Sequence, residues 1–168
     1  IKVFKSASNF YKKQQEIHGI ANKRMLEAIR SNNNVIGYCV HALTAGDWII
    51  GAGLLDLWRN PKGLAYDKTK EGNMSKIAVL RTGKRNYYYG ENIEFSTTII
   101  NENKNEKNKI KFSVVKISGK NIEKTIFSDE FLADVKNGIT ELKKIQLGNS
   151  LDNGEYQIRV SLINNGNV

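Results

Sequence analysis

Residues 31–40 read SNNNVIGYCV, a cluster of turn-forming residues followed at once by six positions without charge or amide and without polar alternation. An unalternating apolar run of that length suits a strand covered on both faces, as in a parallel sheet sheltered by helices. Such a strand cannot stand alone, because each unpaired N–H and C=O in an apolar setting costs free energy. Upstream, Phe10, Ile17, Ala21, Met25 and Ala28 recur at three- and four-residue spacings. That periodicity predicts one helix over residues 5–30, with Lys13, Gln15, Asn22 and Lys23 on the solvent side. Helix, short loop and doubly covered strand make half of a β/α repeat. The first 60 residues therefore imply neighbouring strands that they do not themselves supply, and the chain reads as a fragment.

Downstream, "GDWIIGAGLLDLWRN" (46–60) predicts a loop and a short apolar helix stopped by Pro61. After Pro61 the sequence turns polar, and residues 68–75 read as a linker. From Lys76 the pattern becomes period two: "IEFSTTIIN" (93–101), "IKFSVVKIS" (110–118) and "YQIRVSLIN" (156–164) alternate over much of their length. Turn-rich tetrads separate these runs, and "SGKN" (118–121) is a hairpin candidate. The expected organisation is the end of an α/β unit over residues 1–67, the linker, and an all-β antiparallel sandwich over residues 76–168 that is short of a last strand. A sheet edge left open in this way predicts self-association.

The net charge of +9 invites a polyanion partner, but 20 Lys stand against 6 Arg beside 20 Asn. Stretches such as "KNEKNKIK" (104–111) interleave Glu and Asn, so the charge reads as a solvated surface and no nucleic-acid partner is expected. No apolar run approaches the ~20 residues that cross a bilayer, so no membrane partner is expected. The start, "IKVFKSASNF", does not read as a signal peptide, which leaves the cellular address open. The lone Cys39 permits neither an internal disulfide nor a thiolate-rich zinc site, and no cofactor is expected.

In this order the residues resemble the C-terminal part of a family two glycoside hydrolase, the group that holds β-galactosidases, β-glucuronidases and β-mannosidases. Gly37, Val40, Leu43 and Asp47 fit the register of the eighth strand of that family's (β/α)8 barrel, although His41 stands where the family usually has Trp and one extra residue precedes Asp47. Gly53 and "RNPK" (59–62) resemble the approach to its last barrel helix. "YYYGENIEFSTTIIN" and "LDNGEYQIRVSLI" are similar to strands of the immunoglobulin-like domain that follows.

The resemblance implies a fragment of an α/β (TIM) barrel followed by an immunoglobulin-like sandwich, a carbohydrate substrate for the parent protein, and cleavage of β-glycosidic bonds with retention. Retention uses two carboxylates about 5 Å apart. The family carries both on strands upstream of these residues, so the fragment alone is expected to be inactive. Asp47 and Asp56 are no substitutes. What this chain would contribute is one wall of the sugar site, from the strand's C-terminal end. His41 is either a hydrogen-bonded barrel histidine or a sugar contact. Asp47 is either a loop or helix-cap carboxylate or a ligand for hydroxyls, and Trp48 either packs under the loop or stacks on sugar. Trp58 is expected in the core, and Tyr87–Tyr89, of which Tyr87 and Tyr89 share one side if extended, read as packing on the sandwich edge rather than as an exposed carbohydrate platform. A non-catalytic sandwich that binds glycan or packs on a neighbouring domain is the alternative.

Overall fold

The computed structural model describes residues 3–44, 53–119, 121–148 and 151–163, and the chain divides into two compact units, Ile1–Met74 and Ser75–Val168.

In the first unit, helix α1 spans Ala7–Arg30. Ser6 caps it, its Oγ accepting the Asn9 N–H at 3.2 Å, and the Ser31 N–H closes the other end on the Glu27 carbonyl. Helix α2 spans Gly63–Gly72. This corrects two expectations. The part of the expected short helix that lies within the described residues, 53–60, is not helical, while residues 45–52 lie outside them; a helix instead follows Pro61, and it runs through most of the segment read as a linker. Pro61 lies one residue before the N-cap Lys62, outside the helix, so its missing N–H breaks no intrahelical bond. Before it, the Asp56 Oδ1 accepts the N–H groups of Trp58 at 2.9 Å and Asn60 at 2.8 Å. Those bonds, with Arg59 at φ +69°, fold residues 56–60 into a turn that no helix can continue.

The two helices meet through small residues. A Cβ on Gly19 would lie 2.2 Å from the Leu64 carbonyl oxygen, so the backbone of α2 rests directly on α1 there. Leu26, beside Gly72, is buried in the same contact. Asn22 donates to Thr69 Oγ1 at 3.1 Å, Lys23 pairs with Glu71 at 2.8 Å, and Arg30 donates to the Gly72 carbonyl at 2.6 Å.

That contact overturns the expected orientation of α1. At 3.6 residues per turn, Gly19 and Leu26 lie about half a turn from Phe10, Ile17 and Ala28. The stripe read as the buried face, Phe10, Ile17, Ala21, Met25 and Ala28, is exposed throughout. Residues 35–40 are likewise in no sheet, and Ile36 is 106% exposed. The expected burial of this run fails within the chain because the described residues offer it no strand partner.

In the second unit, β1 (Lys76–Thr82), β2 (Ile93–Asn101) and β5 (Gly138–Glu141) form one sheet in the order β1-β2-β5, with β6 (Ile145–Leu147) also paired to β2. The other sheet is β4-β3-β7, from β3 (Glu106–Ser118), β4 (Asn121–Val135) and β7 (Glu155–Ile163). All pairings are antiparallel. Period-two alternation places Phe95 and Ile99 of one sheet against Ile110, Phe112 and Val114 of the other, with Val135, Ile145 and Leu147 completing the shared core. The Phe95 and Phe112 rings sit 5.7 Å apart across it. The predicted hairpin is present: Ser118 pairs with Asn121 around Gly119 at φ +59°. This is a β-sandwich.

Asn101 fastens one end of the sandwich. Fully buried, it donates from Nδ2 to the Lys104 carbonyl at 3.1 Å and the Lys136 carbonyl at 3.3 Å, while its Oδ1 accepts the Asn103 N–H at 3.1 Å. Strand β7 lies at an edge, paired only with β3 among the described residues. Its core-side residues Tyr156, Ile158, Val160 and Leu162 are only half-buried.

Candidate functional site

Of the three residues that the sequence nominates as sugar contacts, Asp47 and Trp48 lie outside the described residues. His41 is exposed and closes the bare run 35–40. Ala42, immediately after it, has φ +59°, a region that non-glycine residues rarely occupy and that demands support from its surroundings. The support comes from residues 54 and 55: the Leu54 and Leu55 N–H groups both donate to the Leu43 carbonyl at 2.9 Å, and Thr44 forms a parallel bridge with Leu55. Lys62 N–H then bonds the Leu54 carbonyl at 2.9 Å. The chain thus leaves the bare run, turns at His41 and is tied back toward the start of α2. The hydroxyl of Tyr38 donates to Asn73 Oδ1 at the other end of that helix.

Asp56 is fully engaged in its turn. Desolvation opposes its ionisation, but the Asn60 backbone and side chain, the Trp58 N–H and the Lys62 charge outweigh that and hold its pKa below the ordinary 3.8. Its hydrogen bonds go to holding that turn. Trp58 is not in a core: it sits on the tip of this turn, 78% exposed.

The other perturbed carboxylates move the same way. Glu71 is held low by hydrogen bonds from Lys23 and Lys68, Glu94 by Gln146 and Lys144, Glu106 by Lys76, and Glu130 by Lys109 and Lys111. A general acid for glycoside cleavage needs its pKa raised. Among the described residues, the carboxyls whose environment moves them are lysine-paired or turn-forming and are moved down. Nor do the described residues place three or more His, Cys, Asp or Glu where they would hold a metal ion. No helix among them is long and apolar enough to cross a membrane.

One surface was misread from the sequence. Tyr88 and Tyr89 do not pack on the sandwich edge; they are 84% and 78% exposed on the loop between β1 and β2. The signal was there in the flanking "GKRN" and "GEN", which are turn residues and break the alternation that edge packing requires.

No family model matches the sequence, and no curated protein does. Among solved structures, the chain is similar to the β-D-mannosidase from Dictyoglomus thermophilum, at 17% identity and a TM-score of 0.71, over 98% of this chain and 19% of that one. At that identity the likeness is one of fold. The chain spans less than a fifth of the mannosidase's length.

Proposed function

We propose that this chain is the C-terminal part of a β-glycoside hydrolase similar to family two, in which its first unit completes a (β/α)8 barrel and its second is the following immunoglobulin-like domain. The observation that carries this is the fold match to a β-D-mannosidase across 98% of the chain. The barrel part is supported by two features of the first unit. The apolar stripe of α1 faces away from α2, and residues 35–40 lack sheet partners, so both await the same kind of cover: the remaining parallel strands of a barrel.

In that setting residues 35–40 are the eighth strand, and His41, Asp47 and Trp48 follow its C-terminal end, where such barrels carry their chemistry. An imidazole or indole packs on the C–H face of a sugar, and a carboxylate accepts its hydroxyl hydrogens. Both catalytic carboxylates come from strands outside this chain, so these residues position the sugar and exchange no proton with the glycosidic oxygen.

The test is to express the chain joined to the polypeptide encoded upstream of it and to assay nitrophenyl β-D-mannoside, β-D-galactoside and β-D-glucuronide. The longer protein is expected to hydrolyse at least one with retention of anomeric configuration, and the chain alone none. A longer protein inert on all three, or turnover by the chain alone, contradicts the proposal.

A further inference from the structure

We propose that the loop between β1 and β2 is a carbohydrate-binding platform, on which Tyr88 and Tyr89 stack against the C–H face of a β-linked pyranose chain. The proposal gives the sandwich a binding surface of its own, and it rests on the hydrolase reading only for the choice of β-linked sugars.

Two adjacent phenol rings exposed to this degree are unusual for residues that gain free energy by burial. A flexible loop would let them fold back onto the protein, but this loop is clasped. The Lys84 Nζ reaches Glu91 Oε1 at 2.6 Å, and the other oxygen of Glu91 accepts the Tyr88 N–H at 3.0 Å. The Glu91 N–H bonds the Tyr88 carbonyl at 3.1 Å, closing a turn at Gly90, where φ is +86°. On the other side Tyr87 Oη accepts the Lys84 N–H at 3.1 Å, and Thr82 Oγ1 donates to the Lys84 carbonyl at 2.8 Å. Tyr87 is therefore the brace and its two neighbours are the presented pair. A platform held in advance avoids much of the ordering cost of binding.

The surrounding chemistry selects the ligand. A pyranose offers an apolar C–H face ringed by hydroxyls, and Arg85, Asn86 and Asn92, exposed on the same loop, offer guanidinium and amide groups to such hydroxyls. Aromatic residues next to Lys and Arg also suit single-stranded nucleic acid. Here, however, Lys84 is neutralised by Glu91, whose carboxyl that lysine and the Tyr88 N–H hold below its ordinary pKa. Arg85 is the only cation of residues 83–92 without a carboxylate partner among the described residues, too little charge to hold a phosphate backbone.

The experiment uses the full chain in native gels containing soluble β-1,4-mannan or β-1,4-glucan, with calorimetry on mannohexaose and cellohexaose, and oligo-dT as the competing probe. Retardation in at least one gel is expected. Tyr88→Ala and Tyr89→Ala should each weaken oligosaccharide binding at least tenfold, Tyr88→Phe should preserve it, and Glu91→Gln, which loosens the clasp, should weaken it with both rings intact. Absence of retardation in both gels overturns the proposal, as does retardation that survives the double alanine variant. Oligo-dT binding that depends on the two tyrosines, in place of sugar binding, overturns it as well. Oligosaccharide binding by this chain and nitrophenyl glycoside hydrolysis by the longer protein are separate readouts, so failure of the one is distinguishable from failure of the other.

Discussion

Thr97 lies on β2 between Phe95 and Ile99 on the core side, 2% exposed, and its hydroxyl has no hydrogen-bond partner among the described residues. A buried hydroxyl left without a partner costs about 1–3 kcal/mol relative to one that is satisfied or absent. Thr97→Val keeps the β-branched shape, suits a strand, and replaces the orphan group with a methyl that gains on burial. The variant should therefore be more stable by about 1 kcal/mol, and for a unit the size of Ser75–Val168 that corresponds to a rise in thermal midpoint of about 4–8 °C. Circular dichroism melts of the β signal, with urea titration as a second measure, read this out. Thr98→Val, half-buried on the opposite face of the strand, is the control and should stay within about 0.5 kcal/mol. A Thr97→Val protein destabilised by a kilocalorie or more would mean that the hydroxyl is bonded, and the reasoning from burial would be wrong.

Gly19→Ala places a methyl against the Leu64 backbone, while Gly37→Ala meets nothing within 4 Å. The first should cost about 1–3 kcal/mol and hasten proteolysis between α1 and α2, the second should leave cleavage unchanged, and equal rates would refute the close contact. Glu71, Glu94, Glu106 and Glu130 all have pKa values below the ordinary 4.5, so the unfolded chain binds more protons than the folded one in acid. Stability should be level above about pH 5.5 and fall as the pH drops through 4.5 and below, and Glu106→Gln should shallow that fall by removing the Lys76 partnership. A stability curve that rises on acidification contradicts this. The edge of β7, unpaired among the described residues and with half-buried Tyr156, Ile158, Val160 and Leu162, should make the weight-average mass in sedimentation increase with concentration. A single 19.0 kDa species at all loadings refutes it.

The strands β2, β3 and β7 were legible because a half-buried strand writes its two faces into alternate residues, and "IEFSTTIIN" does so at the bounds of β2 itself. Helix α2 was not, because its buried positions are Ala65, Thr69 and Gly72. Those follow helical spacing, yet they are too small and polar to stand out in a hydrophobic pattern. For α1 the periodicity gave the helix correctly and its packing wrongly: the apolar stripe is exposed among the described residues, and the contact actually made is through glycine. Residues 35–40 teach the same lesson. Their composition describes the environment the run is suited to, and the structure describes what this chain can offer it. Of the site, the structure places His41 on a supported bend, while the tyrosines were read as edge packing: the turn residues around them mark a loop, but the ion pair between Lys84 and Glu91 that clasps it, seven residues apart, leaves no periodic trace.

Amide hydrogen exchange across residues 36–40 offers the sharpest check on the barrel proposal. In the chain alone these amides should exchange at close to the unprotected rate; in the longer polypeptide, with neighbouring strands in place, they should slow by at least about a hundredfold. Protection already present in the chain alone, or none in the longer protein, would contradict it.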